Sequence, residues 1–399
     1  MNDRKATLDN PLLNKIFEII NNSPEKKITF AQYMDLCLFD RNYGYYNSEK
    51  TIIGKEGDFY TSASLSSDLG ELLAVQLYQF WEILEKPTNF KIVEMGAGNG
   101  TLAKNILTFI INNYPYLIPN VEYIIIEKSD ILKQKQQDLL REKFTNIIPI
   151  TWTDLDSIAD NCLMGCVFSN ELIDAMPVHL IRFSDNKLEE IYLTEKDNIL
   201  VINYDSLSQK KIREYFNIIG IKFTSNIYPE NYQTEVNLQA IDWLKQISDK
   251  LEKGYLLSID YGYTADKYYH PQRSEGTLKC YYQHRHHNNP YVNIGHQDIT
   301  SHVNFTALQK YGELFGLNTL AYTKQALFLM GLGLGDRLNE LSNGKMSLTT
   351  ILQRRQELHN LINPEGLGNF GVLLQSKNLS FHQSQHPLKG FPKELRIKN

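Results

Sequence analysis

The chain has 399 residues, of which 42% are hydrophobic, 22% charged and 11% aromatic. That balance is the one of a soluble globular protein with chain enough to bury a sizeable core and to hold two or three domains. A formal net charge of −5 argues against a general nucleic-acid binder, which carries a strongly basic surface.

In chain order, short amphipathic helices are predicted over residues 11–21 and 29–38. A third starts at Asp68, whose spacing to Glu71 is that of a capping box. It places Leu69, Leu72, Leu73, Leu77, Phe80, Trp81 and Leu84 on one face. The intervening loop, 43–66, is long and patterned enough to be functional. From residue 90, strands (90–95, 121–127, 147–152, 162–169) alternate with helices (101–112, 129–144). The fold class expected is α/β, a doubly wound, Rossmann-like parallel sheet. Residues 178–205 interrupt it with two or three antiparallel strands turned at Asp185-Asn186 and Lys196-Asp197-Asn198. Helix 235–251, strand 255–260, an irregular stretch to 302, helices 305–315, 325–341 and 347–362, and strand 370–375 follow. The expected domains are an N-terminal helical region with an active-site loop (1–88), a cofactor-binding core (89–177), a strand-rich cap (178–235), and the remainder of the sheet with C-terminal helices (236–399).

Four scattered cysteines do not make a disulfide scaffold, and Cys162 and Cys166 read as buried reduced thiols. The first twenty residues resemble neither a signal peptide nor an arginine-rich transit peptide. No apolar run approaches the roughly 20 residues of a membrane span. A cytoplasmic protein without membrane contact, monomeric or homodimeric, is expected.

The chemistry concentrates at Glu94-Met95-Gly96-Ala97-Gly98-Asn99-Gly100, between the first strand and its helix. Glycines there permit a tight turn and close backbone approach, and ligands bind outside the carboxyl ends of such strands. The G-x-G-x-G spacing is one residue shorter than the dinucleotide motif. Glu94 would repel a pyrophosphate but attract a sulfonium and an amino group. Glu127, ending the second strand, suits an unphosphorylated ribose diol. These features favour S-adenosylmethionine over a nicotinamide cofactor. Asp154 and Leu155 either meet the adenine or, for Asp154, cap the turn before Ile158.

Several blocks together resemble the MidA family of class I methyltransferases. They are Tyr33-Met34, Tyr43-Gly44-Tyr45-Tyr46, Gly57-Asp58-Phe59-Tyr60-Thr61-Ser62, the glycine loop, and Asn170-Glu171 through Asp174-Ala175-Met176-Pro177-Val178-His179. Asp260-Tyr261-Gly262-Tyr263, Gly295 through Phe305, and Asn363-Pro364 continue the match. The resemblance implies S-adenosylmethionine as cofactor, with Gly96, Gly98, Glu127 and Glu94 in its site and Gly57 to Thr61 folded over it. It also implies a protein substrate methylated on arginine, and its mitochondrial members assemble respiratory complex I. Ala97 and Asn99 replace the proline and arginine common in the family's loop. Ala63-Ser64 stands where a Pro-Glu pair is common.

Arginine is always protonated in solution, so its methylation needs carboxylates that hold the guanidinium and take a proton. Glu171, with Asn170, follows the fourth strand and is the first candidate; Asp58 is the second. Asp174 is expected to brace the turn before Pro177. His296, Asp298, Thr300 and His302 alternate along an extended segment, lining or supporting the acceptor channel. His284, His286 and His287 lack matching acids, and no metal is expected. An assembly factor without turnover and a methyltransferase with a small-molecule acceptor are the alternatives.

Overall fold

A central sheet of seven strands organises the computed structural model, which describes residues 10–48, 66–283, 285–341 and 347–392. The strands are β1 (Phe90–Met95), β2 (Val121–Ile126), β3 (Ile150–Thr153), β4 (Leu163–Asn170), β5 (Leu251–Asp260), β6 (Asn318–Lys324) and β7 (Gly371–Lys377). In space they run β6-β7-β5-β4-β1-β2-β3. Strands β1 to β5 are parallel, and β7 lies antiparallel to both β5 and β6. The near-continuous apolar runs of β2 and β4 are those of strands covered on both faces. Strand order reverses between β1 and β4, so a crevice opens beyond their carboxyl ends.

Helices α1 (Pro11–Asn22), α2 (Phe30–Phe39), α3 (Asp68–Ile83), α4 (Thr101–Asn113), α5 (Asp130–Phe144), α6 (Lys210–Ile219), α7 (Leu238–Lys250), α8 (Phe305–Leu314), α9 (Gln325–Gly331), α10 (Leu334–Glu340) and α11 (Leu348–Ile362) surround the sheets. On one face α3, α4 and α9 seal a core with Leu73, Phe80, Ile106 and Phe328. On the other, α6, α7 and α8 do so with Phe216, Leu244 and Leu308.

The interruption after β4 is a second sheet. Strands His179–Ser184, Lys187–Lys196, Ile199–Asp205 and Tyr232–Val236 pair antiparallel. Both tight turns have two residues of positive φ, 49° and 57° at Asp185-Asn186 and 54° and 58° at Asp197-Asn198. Asp and Asn tolerate that conformation, which matches the twist of a two-residue hairpin. Strand Lys27–Thr29 joins the same sheet against Tyr192 to Thr194. Accordingly Leu13, Ile16, Tyr33 and Cys37 share a third core with Val178, Leu193, Cys280 and Ile299.

Several local readings change. Residues 210–219, 232–236 and 318–324 carry a helix and two strands that the sequence pattern did not reveal. Glu235 and Val236 belong to a strand, and α7 starts after Asn237, whose side chain caps it. The helix expected over 325–341 breaks at Gly333, φ 104°, into α9 and α10. Cys162 is exposed, because it lies in the turn before β4; Cys37, Cys166 and Cys280 are buried, and all four are free thiols. Asp68 and Glu71 form no capping box. Asp68 is the first helical residue, wholly buried, and both acids bind Arg337, with Arg354 also on Asp68. Among the described residues no helix is long and apolar enough to cross a membrane.

Candidate active site

At the carboxyl end of β1 the chain turns sharply through three glycines with φ of 69°, 54° and 81° at Gly96, Gly98 and Gly100. A β-carbon on Gly96 would lie 2.7 Å from Leu172 Cδ1, so both its conformation and its surroundings call for glycine. The Gly96 N–H donates to the Ile126 carbonyl, tying the turn to β2. Asn99 accepts from the Thr101 N–H and so starts α4. This is the local work that asparagine does where the family's arginine is common.

The two strand-end acids are both buried and both oriented. Glu94 accepts from the Tyr123 hydroxyl at 2.6 Å. Burial pushes Glu94 up to about 7, with a smaller contribution from the nearby Glu127. Glu127 accepts from the Ser129 N–H at 3.1 Å and from Gln136 Nε2 at 3.0 Å. Gln136 Nε2 also donates to the Gly98 carbonyl, while Trp152 Nε1 donates to Gln136 Oε1. One amide thus fixes the glycine turn, the acid and β3 in register. Burial raises Glu127 as well.

A cavity of about 560 Å³ opens over this turn. Gly96, Gly98, Glu94, Glu127, Asp154 and Leu155 line it, as do Asn170 and Glu171. Gly100 lies behind it, at the start of α4 against Gln136. The Asp154 side chain caps no helix; it is exposed, 3.8 Å from Lys133. Phe39 and Tyr46, stacked on each other, close the far side, and the Tyr46 carbonyl accepts from the Ser129 hydroxyl. The N-terminal segment therefore forms part of the wall. Gly57, Asp58, Thr61 and His284 lie outside the described residues.

A second cavity, about 820 Å³, adjoins the first, and Glu171 lines both. Glu171 has φ 53°, a conformation uncommon for a side-chain-bearing residue, held by its N–H donating to the Ile259 carbonyl. Asn170 Nδ2 donates to Glu171 Oε1 at 3.1 Å. The turn before Pro177 is braced not by Asp174 but by Asp260, which accepts from the Ile173 and Asp174 N–H groups, and by Asn237. The Asp174 side chain instead lines the second cavity with Asp298, Thr300 and His302. Asp298 accepts from the Tyr46 hydroxyl at 2.9 Å, so Tyr46, which lines the first cavity, holds an acid of the second. His302 stacks on Tyr263, and burial, then Arg273, pushes it down to about 4, leaving the imidazole uncharged. His296 is exposed on a turn and lines neither cavity. His286 and His287 lie in a strand pairing with Lys279–Tyr282; among the described residues no group of three or more His, Cys, Asp or Glu is placed to hold a metal.

A mostly parallel sheet reversing beside β1, with a glycine turn there and acids closing β1 and β2, defines a class I methyltransferase. Residues 72–323 match the family described as S-adenosyl-L-methionine-dependent methyltransferase, and the chain belongs to it. A crystal structure of a superfamily member from Burkholderia thailandensis bound to S-adenosyl-homocysteine superposes with a TM-score of 0.83 at 27% identity, covering 97% of this chain and 95% of that one. The protein arginine methyltransferase NDUFAF7 homolog of Drosophila melanogaster is 25% identical over 91% of this chain and 85% of its own. Human NDUFAF7 is 25% identical over 88% and 81%. These relatives are named mitochondrial, which overturns the cytoplasmic placement read from the first twenty residues. S-adenosylmethionine is the cofactor, and the chain is a methyltransferase.

The residues fit that cofactor. Its chemistry is the donation of an activated methyl group from a sulfonium. Buried Glu94 and Glu127 would supply negative charge and acceptors, and the glycine turn would leave room for close backbone approach. Glu94 is protonated below about 7, and only its ionised form attracts a cation. S-adenosylmethionine affinity is therefore expected to rise with pH and level off above 7, by up to roughly tenfold per unit below it. Calorimetry at several pH values checks this against Glu94→Gln, which should bind weakly with a flatter profile; matching slopes would remove Glu94 from the account.

Proposed function

We propose that the acceptor is arginine in a protein, with Glu171 holding the guanidinium, and that a respiratory complex I subunit is the substrate the family resemblance implies. Gly96, Gly98, Glu94, Glu127, Asp154 and Leu155 are assigned to the cofactor, and Gly100 to the turn behind them. The observation that carries the reading is the meeting of the two cavities at Glu171, with a strand-end turn holding its backbone there. The names of the curated relatives support a protein arginine acceptor. So does the lining of the second cavity, whose acids and tyrosines suit a planar cation with five donors.

Purified chain with tritiated S-adenosylmethionine and cell lysate is expected to place label in protein, recovered as methylarginine after hydrolysis. Glu171→Gln should lower incorporation by about 100-fold, the scale of losing a charged partner in the transition state, while cofactor affinity stays within threefold. Label on lysine, on small molecules or nowhere would refute the arginine reading. Full activity in Glu171→Gln would refute its assigned role.

A further inference from the structure

Asp174 stands apart from the other acids of the second cavity. It is 5% exposed, and its Oδ1 has no hydrogen-bond partner among the described residues. Leaving a buried carboxylate oxygen unpaired is costly unless a ligand supplies a donor. Around it stand Asp260 at the end of β5, Tyr261, Glu171, Asp298 in the strand Asp298–Thr300, Tyr281 opposite Asp298, and His302. Among the described residues no lysine or arginine lines the cavity, so a bound cation would supply the counter-charge.

The neighbouring acids are already committed. Burial, and then Glu171, push Asp260 up to about 8, and the three backbone N–H groups it accepts from, those of Ile173, Asp174 and Tyr261, offset part of that rise. Asp298 is held by Tyr46, and Glu171 by Asn170. Burial, and then the Asp260 charge, hold Asp174 well above the usual carboxylate range.

We propose that Asp174, through its unpartnered Oδ1, is the catalytic residue that accepts the guanidinium proton, while Glu171 and the Tyr46-held Asp298 fix the cation. This rests on the protein-arginine reading. A guanidinium nitrogen bonds to the methyl carbon as the carbon–sulfur bond breaks, its electron pair staying on sulfur to give the thioether. The nitrogen's proton passes to Asp174 and from there to solvent, so the methylated guanidinium keeps its single positive charge.

The test is the initial rate of methylarginine formation in lysate protein at saturating S-adenosylmethionine, followed from pH 6 to 9. Asp174→Asn should lose about 100-fold or more, the usual contribution of a general base, with S-adenosylhomocysteine affinity by calorimetry unchanged. Asp174→Glu should keep part of the rate. If Asp174→Asn does not fold, Tyr261→Phe decides. The Tyr261 hydroxyl donates to Asp174 and lowers its basicity, so removing it should move the acid limb of the rate profile to higher pH. An unshifted limb, or a folded Asp174→Asn with wild-type rate and profile, overturns the proposal. If wild-type chain makes no methylarginine, the underlying reading falls instead.

Discussion

Glu127→Ala is expected to raise the dissociation constant for S-adenosylmethionine by about 100-fold. On the proposed assignment Glu127 would accept two hydrogen bonds from the cofactor, each to a charged acceptor worth about 1.5–3 kcal/mol, and a loss near 3 kcal/mol corresponds to a factor of about 100. The substitution also leaves the Ser129 N–H and Gln136 Nε2 without their shared acceptor. Gln136 is then free to turn, and with it goes the tether on the Gly98 carbonyl. Glu127→Gln should cost less, because size and one acceptor oxygen remain. Calorimetric titration, with circular dichroism to confirm folding, measures the effect. A change of less than threefold in Glu127→Ala would show that the cofactor's hydroxyls are held elsewhere.

The second large effect concerns stability. Asp68, with no exposed surface, accepts from Arg337 at 2.6 Å and Arg354 at 2.8 Å, and Arg337 also binds Glu71. The arginines come from α10 and α11, the acids from α3, so the cluster fastens the C-terminal helices to the front of the sheet. Removing one partner of a buried ion pair costs about 3–5 kcal/mol; loss of Arg337 leaves Arg354 alone to balance Asp68 and Glu71, which puts the cost at the lower end. Arg337→Met should therefore destabilise by about 3 kcal/mol, read as a lower urea midpoint at unchanged slope. Adding Asp68→Asn should recover part of the loss, since contacting residues are not additive. A loss below about 0.5 kcal/mol would assign the fastening to apolar packing alone.

What local pattern encodes was readable from the sequence. The strands from Phe90 to Asn170, the glycine turn, and Glu94 and Glu127 at strand ends all follow from periodicity and from where glycine and acid sit along one short stretch. The reading failed where a residue's role depends on a distant partner. Asp68 and Glu71 have capping-box spacing, but Arg337 and Arg354, more than 260 positions away, claim them. Asp174 looked like a turn brace, yet Asp260 performs that task through backbone N–H groups that no spacing reveals. Tyr46 belongs to an aromatic cluster whose role shows only once its hydroxyl meets Asp298. Strand β6 follows a helix with little alternation, and it is pairing with β7 that makes Asn318–Lys324 extended. His296 shares the alternation of Asp298 to His302, but Asn293 to His296 is a turn, so the extended face begins only at Asp298.

Strand Lys27–Thr29 completes the second sheet against Tyr192–Thr194, and this sets an order on biosynthesis. At about 5–20 residues per second, the partner leaves the ribosome about ten to thirty seconds after the strand itself. Throughout that interval α1 and α2 present Leu13, Ile16, Phe30 and Met34 with no second half of their core to cover them. The wall that Tyr46 gives the cofactor cavity therefore cannot be completed until Leu193, Cys280 and Ile299 have been made.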